Sequence, residues 1–236
     1  MALVFISDGR SAEAAALATH LAQNGYCVAL NGADAPGCER VDLDLTDLKG
    51  LEDYFAGCGA LAGAVHFAPP PRPVPIEDAD DRAIAGALRA GALSSLLLAR
   101  AAGDAMAAQG RGALIFVGDL HAEKPTGCAP LHAMNVAAMQ MLSREAALDY
   151  GRRGLSSFFV MRGPAEGDAP MESGVSNLRE GAAIRHPDGA LPPAGHLGGL
   201  IAFLLTDGAR PLNGADLRAD SGYAMYYGLQ RREVAP

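Results

Sequence analysis

Five short runs of strand-forming residues, Leu3 to Ile6, Cys27 to Leu30, Ala64 to Phe67, Ala113 to Val117 and Ser157 to Met161, recur between longer stretches rich in alanine and leucine. That rhythm predicts alternating strands and helices. Strands joined through helices must run parallel, because the right-handed crossover packs each helix back onto the sheet. The expected fold is therefore α/β: one doubly wound, Rossmann-like parallel sheet with helices on both faces. Neither an internal repeat nor a change of composition divides the 236 residues, so residues 1–236 are expected to form one domain.

The stretch Ala12 to Gln23 places Leu17 and Leu21 four apart and stops before Gly25, as a helix closed by a glycine should. Ala83 to Ala108 and Met134 to Tyr150 predict two long helices, the second with Met134, Ala138, Met141 and Leu148 on one stripe. Two segments break the pattern. Pro69 to Pro75 has five prolines in seven residues and excludes helix or central strand. Gly163 to Pro193, rich in glycine and proline, predicts a flexible excursion over the sheet edge.

A net charge of −8, with only Arg152-Arg153 and Arg231-Arg232 as adjacent basic pairs, argues against a nucleic-acid or anionic-membrane partner. The apolar start has no basic flank, and no later run reaches the roughly 18 uninterrupted apolar residues of a span, so the cytoplasm is the expected location. Cys27, Cys38, Cys58 and Cys128 lack a CxxC pair and predict buried, reduced thiols.

In such a sheet a dinucleotide binds beyond the carboxyl ends of the strands, where glycines after the first strand let its pyrophosphate approach backbone N–H groups. The segment in that place is Ser7-Asp8-Gly9-Arg10-Ser11-Ala12-Glu13-Ala14.

The order ALVFISDGRSAEAAALATHLAQNGYCVAL, VDLDLTDL, GALIFVGD, HAMNVAAMQMLSREAALDYGRRGLSSFFV and GLIAFLLTDGARPLNGADLRADSGY resembles the short-chain dehydrogenase/reductase family over essentially the whole chain. The resemblance implies an NAD(P) site, but the family's TGxxxGxG falls on Ser7, Asp8, Ala12 and Ala14, with all three glycines replaced. Asp8 is expected to repel a phosphate: one charge about 5 Å away at an effective dielectric near 20 costs about 3 kcal/mol. Ala12 and Ala14 add Cβ atoms where backbone contact is needed. Gly32 stands where NAD-binding members carry a ribose-binding acid, with Asp34 two residues on. Asp44 matches the adenine-side aspartate; equally, Thr46 and Asp47 simply open a helix. His66-Phe67-Ala68-Pro69 replaces NNAG, so the nicotinamide-side backbone is expected to be rebuilt.

The family's reaction uses a tyrosine, a lysine four residues later, a serine thirteen before the tyrosine and an asparagine on the preceding long helix. The matching positions are Leu131, Asn135, Gly118 and Gly91. Leucine has no proton to give and asparagine no charge, and one missing acid/base group alone costs roughly 100- to 10,000-fold. No catalytic residue and no bound cofactor are therefore expected on this chain.

His121 and His132, with Asp119, lie beside the vacated positions and offer a replacement acid/base mechanism. The plainer alternative is a set of partly exposed loop and helix-start residues. No GxSxG elbow supports a hydrolase. No carboxylate or thiolate stands at convincing ligand spacing from the histidines, so no metal is expected.

The frame is retained: the two long helices, a helix at Leu200 to Leu205, and Asp220-Ser221-Gly222-Tyr223, similar to the family's last strand segment. In the family the long helices pair with a second subunit, and Ala92, Ala99, Met134 and Met141 are small or apolar enough to allow it. The resemblance thus implies a silent subunit assembled, as a heterotetramer, with an active short-chain dehydrogenase paralogue that holds NAD and oxidises a hydroxyacyl-CoA-type alcohol. It also places the family's substrate loop at residues 163–193. The other readings are a regulatory protein binding a small molecule in the emptied cleft, and an enzyme with replaced residues at His121 or His132.

Overall fold

The computed structural model describes residues 2–125, 127, 129–168 and 185–225. Cys128 and the middle of the 163–193 excursion, with its expected flexibility, lie outside the described residues.

Seven parallel strands, β1 (Leu3–Ile6), β2 (Cys27–Asn31), β3 (Glu39–Val41), β4 (Leu61–Phe67), β5 (Gly112–Asp119), β6 (Leu155–Arg162) and β7 (Asp216–Ala219), form one sheet in the order β3-β2-β1-β4-β5-β6-β7. The chain runs outward from β1 to β3 and then returns to β4. The strand order therefore reverses beside β1, and the crevice for a ligand opens at the carboxyl ends of β1 and β4. This is the predicted doubly wound fold. The two edge strands had escaped the pattern because they are short and carry the charged Glu39, Arg40, Asp216 and Arg218.

Burial on both faces explains the continuous apolar runs. Within β1, Leu3 and Phe5 face one core with Leu51, Phe55, Leu98, Met106, Phe116 and Phe159, while Val4 and Ile6 face the other with Leu17, Leu21, Val65, Phe158 and Ile201. The helices that close these layers are α1 (Ala12–Gln23), α2 (Leu48–Gly57), α3 (Asp81–Leu88), α4 (Ser94–Gln109), α5 (Pro130–Gly151) and α6 (Gly198–Leu204). Ser11 starts α1 by accepting the Ala14 N–H at 3.1 Å.

The single helix expected at Ala83 to Ala108 is two helices joined by a π-turn over Arg89–Leu93. The cause is a side chain inserted into the backbone ladder. The Asn135 amide accepts the Ala92 N–H at 3.1 Å and donates to the Ala87 carbonyl at 2.8 Å. Taken as one stretch, Asp81–Gln109 is long and apolar enough to cross a membrane by length and composition. In the fold one side of it packs on β4, β5 and α2, and the other bears exposed Leu88, Leu93 and Leu96.

The cysteine expectation needs correction. Cys27 is exposed and Cys38 and Cys58 are part-buried, because each sits at a strand or helix end; all three are free thiols. Burial of the part-covered pair pushes both thiols up, away from reactivity.

Phe159 is fully buried on β6, between Phe116 of β5 and Asp216 of β7. Phe159→Ala is expected to cost about 3–5 kcal/mol, seen as a lowered urea midpoint with little change in slope.

Candidate active site and cofactor cleft

The crevice begins with a buried polar relay that fixes its floor. Ser7 Oγ, at the end of β1, accepts the Phe67 N–H at 3.0 Å and lies 2.9 Å from His66 Nδ1; His66 Nε2 lies 2.9 Å from Ser95 Oγ, which donates to the Gly91 carbonyl at 2.8 Å. Since Ser95 spends its hydrogen on Gly91, it accepts from His66 Nε2–H, leaving Nδ1 to accept from Ser7. His66 is thus neutral, and burial pushes its pKa down to about 4. The expected rebuilding at His66 to Pro69 begins with an imidazole turned into the core.

The loop after β1 carries Asp8, whose carboxylate accepts the Arg10 N–H at 3.2 Å, and Gly9, where a Cβ would stand 2.7 Å from Leu30 Cγ. Ala14 is fully buried in the first turn of α1 and Ala12 exposed at its start. Asp34 ion-pairs with Arg40 on the exposed surface at 3.2 Å. Asp44 accepts the Thr46 N–H at 2.8 Å and its hydroxyl at 2.6 Å, which holds the carboxyl below its ordinary value. This local turn ahead of α2 accounts for Asp44 without a ligand.

Sequence reasoning passed over Glu13, which lies between the two replaced glycine positions Ala12 and Ala14. Its side chain is only 2 % exposed. Oε2 accepts the Gly195 N–H at 2.8 Å, Oε1 accepts the Leu197 N–H at 3.3 Å, and Oε2 lies 3.3 Å from His196 Nδ1. The sequence signal was an acidic residue in an alanine-rich first turn, where a helix dipole favours an anion. The chain supplies that anion itself. The strap at 193–198 and the turn at 165–168 then cover the turn: a Cβ on Gly195 would lie 2.9 Å from Ala16 Cβ, and one on Gly167 would lie 2.7 Å from Ala12 Cβ. Arg162 anchors the second segment through a bidentate pair with Asp168 at 2.7 and 2.9 Å.

Burial raises the Glu13 pKa, but the His196 and backbone hydrogen bonds outweigh it and hold the carboxyl below its usual value. Burial likewise lowers His196, and the Glu13 carboxylate more than reverses that.

The four positions matched to the catalytic residues converge at the ends of β5, α5 and the π-turn, and all four are buried. A Cβ on Gly91 would lie 2.2 Å from Asn135 Cγ, so Asn135 occupies the notch that glycine leaves. A Cβ on Gly118 would stand 2.6 Å from Phe159 Cζ and 2.7 Å from Val136 Cγ1. Packing therefore fills the space beside Gly91 and Gly118.

Beside them, two expectations are corrected. His132 is buried at 5 % exposure rather than an exposed helix-start residue, because the first turn of α5 packs under the turn after β5. A carboxylate does stand at ligand spacing. Asp119 Oδ1 lies 2.8 Å from His121 Nδ1, and Oδ2 lies 2.8 Å from His132 Nε2. The fold, not the interval along the chain, brings His132 back to Asp119. Burial raises Asp119, yet the two histidine hydrogen bonds outweigh it and hold the carboxyl far below the usual range.

Residues 11–224 match the family model described as enoyl-(acyl carrier protein) reductase. The chain belongs to the short-chain dehydrogenase/reductase family. A curated relative, the cis-4-hydroxycyclohexanecarboxylate dehydrogenase of Sinomonas cyclohexanicum, is 31 % identical over 119 residues, 50 % of this chain. The match spans 47 %, about half, of that relative's length. Two solved structures share the fold. One is a gluconate 5-dehydrogenase of Burkholderia cenocepacia, in complex with NADP and tartrate, with TM-score 0.85 and 19 % identity over 95 % of this chain and 96 % of that one. The other is an acetoin dehydrogenase of Salmonella typhimurium, with TM-score 0.84 and 18 % identity over 97 % and 99 %. Against this family's pattern, the four substitutions and the Glu13 latch are departures within an intact frame.

Restoring the family serine by Gly118→Ser is expected to destabilise the chain by about 1–3 kcal/mol through overpacking, read from urea melts. The latch carries its own pH signature. Glu13, depressed, contributes stability above its ordinary value of 4.5 and loses it as pH falls through its folded value. His196, raised, contributes below 6.5 and loses it as pH rises through its folded value. The stability gap between the natural chain and Glu13→Gln should therefore be widest between pH 4.5 and 6.5 and narrow on either side.

Proposed function

We propose that this chain is a catalytically silent subunit that assembles in the cytoplasm with an active, NAD-binding short-chain dehydrogenase paralogue. The observation that carries the reading is the refilled catalytic centre: Leu131 and Asn135 replace the proton donor and the cation, and Asn135 sits in the space an asparagine at Gly91 would need. The buried Glu13 carboxylate at the first turn of α1, covered by the chain's own strap, adds a second obstacle to a bound dinucleotide.

A retained assembly face supports the partnership. On α5, Met134, Ala138, Met141 and Leu148 form an exposed stripe, with Met134 55 % and Leu148 75 % exposed; Leu93 and Leu96 are exposed on the preceding helix. Ala99 does not contribute, being buried against its own subunit. Contiguous apolar helix surface of this kind marks a contact with another chain. A heterotetramer pairing these helices fits it.

The pattern resembles heteromeric short-chain dehydrogenases with one silent subunit, such as the enzyme that oxidises 2-[hydroxy(phenyl)methyl]succinyl-CoA in anaerobic toluene degradation. The complex is accordingly assigned oxidation of a hydroxyacyl-CoA-type alcohol. The Sinomonas relative's name also describes a dehydrogenase of a hydroxy acid. A regulatory protein binding a small molecule in the same cleft is the alternative without a partner. An enzyme with replaced residues is the other alternative, favoured by the Asp119-His121-His132 cluster alone.

Calorimetry with NAD tests the proposal on the isolated chain and on the chain co-purified with an active paralogue from the same organism. The expected result is no binding alone and about one NAD per active partner in a stable complex. Tight NAD binding by the isolated chain, or a stable homo-oligomer indifferent to the co-expressed paralogue, would overturn it.

A further inference from the structure

The cluster beside the refilled centre has the makings of a site in its own right. β5 delivers Asp119 at its carboxyl end, the 3-10 turn Leu120–Ala122 folds His121 back over it, and the first turn of α5 brings His132 from the other side. One donor atom from each lies within 4.8 Å of the others. The imidazole rings stand edge to face, 4.9 Å apart at 85°, so their nitrogens converge on the one carboxylate from nearly perpendicular planes. The side chains of Asp119, His121 and His132 are 22 %, 12 % and 4 % exposed.

We propose that Asp119, His121 and His132 form a mononuclear site for a zinc-class divalent cation, bound through Asp119 Oδ, His121 Nδ1 and His132 Nε2. One carboxylate and two imidazoles form a donor set for zinc, cobalt(II) or iron(II) rather than calcium or magnesium, which take oxygen ligands. In a four-coordinate site with bonds of about 2.0–2.1 Å, donor atoms stand about 3.3 Å apart. One Asp119 oxygen would ligate: its contact with the imidazole it now faces would open by about half an ångström, and the imidazole now on the other oxygen would turn toward the same ion. The turn at Leu120–Ala122 is a single 3-10 turn and His132 lies in the first turn of α5, so both can shift by that amount.

With His121 Nδ1–H donated to Asp119, the Nε2 lone pair is buried, and among the described residues it has no hydrogen-bond partner. Metal binding at Nδ1 transfers that ring's proton to Nε2, and His132 likewise moves its proton from Nε2 to Nδ1, so no proton is released from neutral rings. Three protein ligands leave a fourth position for water or a substrate oxygen. Gly118 and Leu131 are the chain neighbours of Asp119 and His132, so the ion would sit beside the vacated reaction centre.

The test is titration of the metal-free full chain with zinc chloride by calorimetry and with cobalt(II) by visible absorption. One zinc per chain is expected, with a cobalt d–d band of four-coordinate intensity. At a hundredfold excess of free zinc over its Kd, the melting temperature should rise by about 5–10 °C. In His121→Ala and in Asp119→Asn the band should vanish and zinc affinity should fall at least a hundredfold, while the metal-free far-UV spectrum stays unchanged. His121 lies in a surface turn, so its variant folds even where one at His132 does not. Absence of zinc and cobalt binding, or binding that survives His121→Ala combined with Asp119→Asn, would overturn the site. Because the readout is metal and not NAD, either result leaves the silent-subunit reading to its own experiment.

Discussion

Burying a seven-stranded parallel sheet on both faces is the constraint on which everything else in this molecule rests. Parallel strands cannot turn back on themselves, so each must leave the sheet through a crossover, and each crossover must cover apolar surface. The side-chain alternation of β1 illustrates the result: Phe5 packs with Phe55 and Phe116 on one face while Val4 and Ile6 pack with Leu17 and Leu21 on the other. That frame fixes where strands end, and so where chemistry is placed.

Within the frame, polar side chains tie the ends of β1 and β4 to the turn between α3 and α4. Asn135 exchanges two hydrogen bonds with the backbone on either side of Gly91, converting what would be one helix into two joined by a π-turn. Ser7, His66 and Ser95 tie β1 and β4 to that same turn. Each of these groups is hydrogen-bonded and buried, which makes this end of the crevice a packed polar core. A Cβ at Gly91 or Gly118 would meet Asn135, Phe159 or Val136, so larger side chains at those two positions have no room without repacking.

The Glu13 latch shows the same exchange of ligand contacts for internal ones. The positive end of α1, which in a dinucleotide-binding relative faces a phosphate, here has its own carboxylate in the first turn and a strap of its own chain over it. The exposed apolar stripe of α5 from Met134 to Leu148 is an unsatisfied surface in the single chain, unlike the satisfied interior next to it.

The sequence by itself determined the sheet, five of its seven strand runs and the bounds of α1, since these follow from local periodicity, and residue identity alone put Gly91, Gly118, Leu131 and Asn135 at the positions on which the silent-subunit proposal rests. The edge strands β3 and β7 were hidden because charged, half-exposed strands carry no apolar signature. Only the tertiary structure decided that Asn135 splits a helix 43 residues away, that Glu13 reaches the strap at Gly195, and that Asp119 gathers His121 and His132. Those contacts join segments whose distance is set by how crossovers stack on the sheet, and no interval along the chain encodes that.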